Sequence, residues 1–383
     1  MSTLANNGGA PATKPRYIMI GGFLGAGKTT AVAELARRLA AQGLRVGLIT
    51  NDQGRNLVDT AMLRAQGFAT EEIPGGCFCC RFDALLEAAQ RLRQQSQPAV
   101  FIAEPVGSCT DLVATVTYPL RRLYGNHFTV APVSVLVDPI RARRALGLEP
   151  GGSFSEKVLY IYLKQLEEAD LIVISKADLL DGAGVESLRA ALAARFPHRE
   201  ILAVSARTGA NLDQWLDRIT RTEQDAGQAM EVDYTVYADG EARLGWLNCT
   251  VELSGGTAFD GDQFLKELAS EVQMRLRAEG AEVAHLKMTL TAQGAPGHPG
   301  VVNVVRNDFL PELSMRLGAP LQSGQLIINL RAEAAPALLG RAVRQSVVAA
   351  AGSMGNLLAE LDHLEHFRPG KPTPTHRFRS VTA

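Results

Sequence analysis

The chain has 383 residues, of which 46% are hydrophobic and 21% charged, and its formal net charge is −1. This length allows two domains with separate cores, and the near-neutral charge gives no electrostatic case for nucleic acid or an anionic membrane as the main partner. No run of about 20 apolar residues is present, which argues against a membrane-spanning helix.

The N-terminal part of the chain predicts an α/β domain with a parallel sheet. Residues 1–15 have the composition of a disordered leader, and six short apolar runs follow, at 16–20, 44–50, 98–104, 133–138, 171–175 and 201–205. Continuous apolar strands are expected where helices cover both faces of a sheet. Helical patterns such as that over 28–42 separate the strands, which implies crossover connections. We therefore assign residues 16–225 to one α/β domain.

The pattern changes after the polar stretch 221–233, which is typical of a linker. Strands are predicted at 245–253, 283–292, 300–308 and 324–333, and helices at 260–280 and 338–352. This order predicts a smaller α+β domain with an antiparallel sheet over 231–355. Residues 356–383 are predicted to form the end of a helix and an extended, Pro-rich basic tail.

A phosphate-binding loop is predicted between the first strand and the first helix. GFLGAGKT at 22–29 matches the pattern G-x-x-x-x-G-K-[ST] in the structural context that it requires. The backbone N–H groups and the positive end of the helix favour phosphate, while Lys28 is expected to reach the β- and γ-phosphates and Thr29 to ligate Mg²⁺. The predicted nucleotide contacts here are Gly22, Gly25, Ala26, Gly27, Lys28, Thr29 and Thr30.

Two later segments predict that the base is guanine. SKAD at 175–178 is similar to the guanine-specifying N-K-x-D element, in which the carboxylate of Asp178 would accept two base N–H groups and Lys176 would pack along the ring. Ser205 and Ala206, after the next strand, are expected to contact guanine O6 through the backbone. Ser175 replaces the usual Asn and is expected to lose one loop-bracing hydrogen bond, worth about 1 kcal/mol.

Four segments together resemble the CobW-like family of P-loop GTPases, relatives of the GTPases that insert nickel into urease and hydrogenase. They are GGFLGAGKTT (21–30), GGCFCC (75–80), AEPVG (103–107) and QLEEADLIVISKADLL (165–180). The resemblance implies hydrolysis of GTP to GDP and phosphate, coupled to delivery of a metal or a metal-containing cofactor to a client protein.

Two positions depart from the family's pattern. Asp52 follows Asn51 where Glu is usual, which leaves a hard oxygen ligand near Mg²⁺. In the family's E-[ST]-x-G element, Glu104 is expected to hold Mg²⁺ through water and Gly107 to sense the γ-phosphate. Pro105 lacks a backbone donor and a hydroxyl, so the handling of the attacking water stays open. The predicted catalytic residues are Lys28, Asp52, Glu104 and Gly107.

Cys77, Cys79 and Cys80 follow two glycines that permit a tight turn, and such a turn brings thiolates together. Without a second C-x-x-C, the spacing favours an open three-thiolate site over a closed four-cysteine site. That site suits Zn²⁺, and thiolate softness also admits Cu⁺, Co²⁺ or Ni²⁺. A redox dithiol and buried structural cysteines are the alternatives. We predict structural roles for Cys109 and Cys249.

The cluster precedes the strand that carries Glu104, where P-loop GTPases have nucleotide-dependent switch segments. We therefore expect GTP and metal binding to be coupled. His363 and His366 would lie one turn apart on a helix, and a solvated helix is favoured there over a metal site.

These observations predict a cytoplasmic GTPase metallochaperone that uses GTP, Mg²⁺ and Zn²⁺, with Co²⁺ or Ni²⁺ as other cargo metals. The expected partner is a client metalloprotein or a corrinoid protein, and a homodimer is also compatible with the sequence. Neither nucleic acid nor a membrane is expected as a partner. A GTPase that assists a corrinoid-dependent enzyme, a small-molecule P-loop kinase and a nucleotide-gated module with negligible turnover are the alternatives. The odd cysteine count fits a reducing compartment.

Overall fold

The computed structural model describes residues 14–51, 58–294, 298–355 and 357–382. Over these ranges the chain forms a parallel sheet of eight strands, followed by an antiparallel sheet of six. The strands of the parallel sheet are β1 (Arg16–Gly22), β2 (Val46–Asn51), β3 (Ala69–Ile73), β4 (Val100–Glu104), β5 (Thr129–Val130), β6 (Ser134–Val137), β7 (Leu171–Ile174) and β8 (Glu200–Ala203).

The parallel sheet has the strand order β3-β2-β4-β1-β6-β7-β8, with β5 beside β1. Helices cover both of its faces because its strands are apolar on both sides: Tyr17 and Met19 belong to one buried cluster, and Ile18 and Ile20 to another. The helices are α1 (Lys28–Ala41), α2 (Val58–Ala65), α3 (Phe82–Ser96), α4 (Tyr118–Tyr124), α5 (Pro139–Ala145), α6 (Glu156–Glu168), α7 (Gly182–Arg195) and α8 (Leu212–Arg221).

The antiparallel sheet has the order β12-β11-β10-β13-β9-β14. Its elements are α9 (Tyr234–Glu241), β9 (Leu244–Phe259), α10 (Gly261–Ala278), β10 (Glu282–Ala292), β11 (Gly300–Val304), β12 (Glu312–Met315), β13 (Leu321–Glu333), α11 (Pro336–Ser353) and β14 (Leu357–Phe367). Helices α10 and α11 pack on this sheet around a separate core. Helix α9 instead packs against α6, on the parallel-sheet side.

The predicted fold class is confirmed, and four strands were missed. These are the edge strand β3, the two-residue β5, and β12 and β14 at the edges of the second sheet. The predicted helix end at 356–367 is wrong, because Leu357–Phe367 is a strand paired with β9. His363 and His366 therefore project from opposite faces of a strand, and the one-turn spacing considered for them does not exist.

The connectivity places the phosphate loop at the carboxyl ends of the central strands, where open α/β sheets bind ligands. Strands β10 and β11 of the second sheet face this end of the first. None of the helices in the described ranges is long and apolar enough to cross a membrane.

Candidate nucleotide and metal site

The loop between β1 and α1 has the backbone conformation that its glycines predict. Gly22, Gly25 and Gly27 have φ values of 131°, 80° and 85°, a region that side chains other than glycine rarely occupy. A Cβ atom on Gly22 would also lie 2.4 Å from the carbonyl oxygen of Leu136. The loop therefore needs glycine at these positions, and it leads directly into the N-terminus of α1.

Lys28, at the end of this loop, lies against Gly107, which follows β4. The Nζ atom of Lys28 donates to the carbonyl oxygens of Gly22, at 2.9 Å, and of Phe23, at 3.4 Å. A Cβ atom on Gly107 would lie 3.0 Å from that Nζ and 3.0 Å from the backbone nitrogen of Leu24. The segment after β4 thus lies directly against the phosphate loop, which only a glycine permits.

Thr29 and Glu104 bring two hard oxygen donors together. The hydroxyl of Thr29 donates to Oε1 of Glu104 at 3.0 Å, and both side chains are buried. Mg²⁺ prefers oxygen ligands, so this donor set fits the predicted ion. Asp52, the third predicted ligand, lies outside the described residues.

The predicted base pocket assembles beside the loop. Lys176 has φ 48° and donates to the carbonyl oxygen of Gly25 at 2.8 Å and to Oδ2 of Asp138 at 3.0 Å. The hydroxyl of Ser205 donates to Oδ1 of Asp178 at 2.6 Å. The carboxylate of Asp178 is therefore held in one orientation at the mouth of the pocket, which Ala206 also lines.

Ser175 reaches the phosphate loop. Its hydroxyl lies 2.7 Å from the carbonyl oxygen of Ala26 and 2.9 Å from that of Val137. The hydroxyl has one proton and can donate to only one of these carbonyls, so the expected loss of one hydrogen bond relative to Asn stays a prediction.

The second sheet supplies one wall of the pocket, a role that sequence reasoning missed. The pocket has a volume of about 330 Å³, and the residues of this wall include Trp246, His285, Lys287, Asn303, Arg306 and Phe309. The Nζ atom of Lys287 lies 3.4 Å from the hydroxyl oxygen of Thr29. No motif marks these positions. The sequence predicts most of them as strand residues, at 245–253, 283–292 and 300–308, but nothing in it assigns them to a site.

Basic side chains slightly outnumber acidic ones around the pocket. Burial would raise the pKa of Asp138, but Lys176 and Arg306 outweigh it, and the pKa lies below its ordinary value. Burial lowers the pKa of His285 well below its usual range, and the neighbouring Lys287 lowers it further. His285 is therefore neutral near pH 7, while the surrounding lysines and Arg306 favour a polyanion such as a triphosphate.

The three cysteines of the C-x-C-C motif converge. The Sγ atom of Cys77 lies 2.7 Å from that of Cys79 and 3.3 Å from that of Cys80, and Cys79 and Cys80 are 3.6 Å apart. Gly75 and Gly76 both have positive φ, and the turn after them runs straight into the N-terminus of α3. The predicted turn is therefore present, and it brings the thiols together.

These thiols suit a thiophilic cation. Zinc–sulfur bonds of about 2.3 Å in a tetrahedron place sulfurs about 3.8 Å apart, so the Cys77–Cys79 pair, at 2.7 Å, would have to open by about 1 Å and the other two pairs by less. Cys77 accepts hydrogen bonds from neighbouring thiols, which lowers its pKa well below the usual value. The thiolate is the form that binds metal, so this shift favours the state of Cys77 that a metal needs.

A fourth thiol, of Cys109, lies against the cluster. It lowers the pKa of Cys77 and raises that of Cys79, and burial holds its own pKa well above the usual value. No spacing in the sequence joins Cys109 to the motif, because Cys109 follows β4 whereas the motif precedes α3.

The C-terminal tail covers the cluster, which sequence reasoning also missed. The backbone nitrogen of Thr375 donates to the carbonyl oxygen of Cys79 at 2.8 Å, and that of Thr373 to the Sγ atom of Cys80 at 3.3 Å. Arg377 ties the tail to Oδ2 of the buried Asp111 at 2.7 Å. Cys79 is consequently 1% exposed, although its motif lies in a surface turn.

Asn51 connects the pocket to the cluster. Its amide nitrogen donates to the carbonyl oxygens of Ile73 and Gly76, at 2.8 and 2.6 Å. Its amide oxygen accepts from the backbone nitrogen of Phe78 at 2.9 Å. The carboxyl end of β2 and the cysteine turn are therefore one braced unit.

The fold and pocket define a P-loop nucleotide-binding domain. Residues 16–203 match the family model described as CobW/HypB/UreG, nucleotide-binding domain. This part of the chain belongs to that family, as its sequence motifs predicted.

Curated relatives resemble the chain over about half of its length. The zinc chaperone CobW of Sinorhizobium sp is 32% identical over 227 residues, 54% of this chain and 61% of that protein. The zinc chaperone YeiR of Escherichia coli (strain K12) is 28% identical over 43% of this chain and 47% of that protein. The urease accessory protein UreG of Mycolicibacterium gilvum is 29% identical over 53% of this chain and 92% of that protein. The chain thus spans about half to three-fifths of the two zinc chaperones.

Proposed function

We propose that the protein is a GTPase metallochaperone: it binds and hydrolyses GTP, holds a thiophilic metal at Cys77, Cys79 and Cys80, and delivers that metal to a client protein. Zinc is the cargo that we favour, because three thiolates suit it and two curated relatives are named zinc chaperones. Co²⁺ and Ni²⁺ are the other candidates.

The observation that carries the proposal is the brace at Asn51. One side chain holds the end of β2, beside the phosphate loop, to the turn that presents the cysteines. A nucleotide that shifts Asn51 at the end of β2 would then also shift the turn that carries the thiols. This is the physical basis for coupled binding of GTP and metal, in which each ligand raises the affinity for the other.

In the proposed reaction, the loop glycines and Lys28 bind the phosphates, and Thr29 and Glu104 hold Mg²⁺, which would screen the charge of the phosphate oxygens. Asp178, fixed by Ser205, accepts from the guanine edge. Gly107 donates its backbone N–H toward the γ-phosphate. Lys287 adds a cation from the second sheet beside Thr29, so the domain without a recognised motif also faces the reacting group.

Two measurements on one preparation test the proposal. Protein purified without added metal is analysed for bound zinc, cobalt and nickel, beside a Cys79→Ala/Cys80→Ala variant and a Cys249→Ala control. We expect bound metal in the wild type and control and its loss in the double variant. Full metal content in the double variant would mean that the thiol cluster is not the site.

The second measurement follows the products of GTP turnover. The expected products are GDP and free phosphate. A phosphorylated small molecule in place of free phosphate would instead identify a kinase and overturn the hydrolytic part of the proposal.

A further inference from the structure

A buried carboxylate at the end of β6 contacts cations from both sheets. Oδ2 of Asp138 accepts from the Nζ atom of Lys176 at 3.0 Å, and Oδ1 accepts from the Nη1 atom of Arg306 at 3.0 Å. Lys176 follows β7 of the first sheet, and Arg306 follows β11 of the second. Asp138 is 2% exposed. One side chain therefore connects the predicted base pocket to the second sheet.

The backbone fixes the direction of this carboxylate. Asp138 is the N-cap of α5, and its Oδ1 atom accepts from the backbone nitrogen of Arg141 at 3.1 Å. Burial would raise the pKa of Asp138, but Lys176 and Arg306 lower it below its ordinary value. The side chain is therefore an ionised acceptor near pH 7, oriented toward both cations.

The segment that carries Arg306 is held as well. The buried guanidinium group of Arg141 donates to the carbonyl oxygens of Ala284, at 3.4 Å, and of Val305. A Cβ atom on Gly25 would lie 3.0 Å from the same oxygen of Ala284. The second sheet thus packs directly on the phosphate loop, and this packing fixes Arg306 in place beside it.

Lys176 is held from two directions. Its ammonium group donates to the carbonyl oxygen of Gly25 at 2.8 Å as well as to Asp138. Its Cε atom would lie 3.4 Å from a Cβ atom on Gly27, so the carbon stem follows the loop along the edge of the pocket. Loss of the Asp138 contact would remove one of the two anchors that keep the stem there.

We propose that Asp138 and Arg306 are positioning residues for the base of the nucleotide: Arg306 holds Asp138, and Asp138 holds Lys176 along the ring. This inference rests on the proposed function and deepens it, because it gives the second sheet a part in recognition of the base. Neither residue lies in a nucleotide-binding motif that the sequence predicts.

A role as a simple charge predicts the opposite sign for one variant. Asp138 places a negative charge beside a site for phosphate anions, so Asp138→Asn should tighten nucleotide binding if only electrostatic attraction mattered. If Asp138 positions Lys176, the same change should weaken the binding of a ligand that carries the base. The direction of the change therefore separates the two roles.

The experiment compares a ligand that has the base with one that lacks it. Affinities for a non-hydrolysable GTP analogue and for inorganic triphosphate, both with Mg²⁺, are measured by calorimetry on the full chain. Asp138→Asn and Arg306→Gln should each lower the affinity for the analogue at least about tenfold, as loss of one partner of a buried charge pair does. The affinity for triphosphate should stay close to that of the wild type.

Three further variants complete the comparison. Asp217→Asn on α8 and Arg277→Gln on α10 are exposed and serve as matched controls. Arg306→Lys keeps a cation for Asp138 and should recover most of the affinity for the analogue. Because Arg306 acts through Asp138, the double variant Asp138→Asn/Arg306→Gln should lose no more affinity than the weaker-binding single variant.

Several results would overturn the inference: tighter binding of the analogue by Asp138→Asn, unchanged binding by a folded Arg306→Gln variant, or additive losses in the double variant. Equal losses for the analogue and for triphosphate would also overturn it, because the charge pair would then only hold the two sheets together. If Asp138→Asn fails to fold, Arg306→Gln and Arg306→Lys decide.

The outcomes also separate this inference from the proposed function. Wild-type protein that binds neither the analogue nor triphosphate would remove the nucleotide-binding part of the proposed function. Wild-type protein that binds the analogue, with Arg306→Gln equal to Arg277→Gln, would remove only the role of the second sheet in recognition of the base.

Discussion

The nucleotide pocket and the thiol cluster lie at the same end of one parallel sheet, but they are closed in different ways. The pocket is built mainly from the carboxyl ends of β1, β4, β7 and β8, and the second sheet forms its remaining wall. The cluster starts from a turn before α3 and is closed by a loop after β4 and by the C-terminal tail.

The difference shows which site can be altered by movements elsewhere in the molecule. In the pocket, short continuous motifs place most of the binding groups, and Lys287 of the second sheet is a distant contributor. In the cluster, each covering element is anchored elsewhere: Gln165 holds the loop after β4, and Asp111 holds the tail. Movements of the anchoring segments can therefore change access to the thiols.

The largest effect is expected from Asp178→Asn, which tests the part of the pocket that motifs define. The amide oxygen of Asn can keep the hydrogen bond from Ser205, while its nitrogen would face the guanine N–H groups instead of accepting from them. We expect GTP affinity to fall about a hundredfold or more and xanthosine triphosphate to become the better ligand. Titration with both nucleotides measures this.

Asp217→Asn is the control, since Asp217 is exposed on α8 and remote from the pocket. If Asp178→Asn binds GTP as tightly as the control does, Asp178 does not read the base. Recognition of the base would then not be defined by the sequence motif that contains Asp178.

A smaller effect is expected from Lys287→Ala, which tests the wall that the second sheet contributes. Its ammonium group lies beside Thr29, so its loss should slow GTP hydrolysis about a hundredfold, the lower end of the range for loss of one positioned donor. GDP affinity should change little, because GDP lacks the γ-phosphate. Lys266→Ala, on the exposed face of α10, is the control.

Hydrolysis rates and GDP affinity are compared for both lysine variants. If Lys287→Ala hydrolyses GTP at the same rate as the control, the second sheet covers the pocket without contributing to catalysis. An equal loss of GDP and GTP binding would assign Lys287 to general phosphate attraction.

Much of the pocket could be predicted from the sequence because each motif is continuous and its residue types are fixed by their chemistry. Lys28, Thr29 and Asp178 fall into this class, and their side chains do line the pocket. Lys287 could not be found, because a lysine on a strand has no distinguishing neighbours in the sequence. Only the packing of two sheets brings it to Thr29.

The cluster was predicted less completely for a similar reason. A lone cysteine such as Cys109 carries no spacing, so its contact with Cys77 depends on the tertiary fold. The segment 357–367 was predicted as a helix because its leucines at 357, 361 and 364 also satisfy a helical period. The segment forms a strand because it pairs with the long strand β9, and the periodicity of the sequence does not reveal that pairing.

The smallest effect is expected from Arg377→Ala, which loosens the cover of the cluster. Arg377 holds the tail to the buried carboxylate of Asp111, and loss of such a hydrogen bond costs about 1–3 kcal/mol. The tail should leave the thiols uncovered for a larger fraction of the time. Cys80 should therefore react at least about fivefold faster with a thiol reagent.

Arg379→Ala is the matched control, because Arg379 lies on the same tail but pairs on the surface with Glu231. Reaction rates of the metal-free protein are followed by absorbance. Equal rates in the two variants would show that the tail covers the thiols without limiting access to them.

The central claim is that the nucleotide and the metal bind to one coupled unit. The most direct test measures zinc affinity of the wild type by chelator competition, once with GDP and once with a non-hydrolysable GTP analogue. We predict about tenfold or greater tightening with the analogue, within the usual range for coupled sites. Equal affinities in the two nucleotide states would contradict the claim.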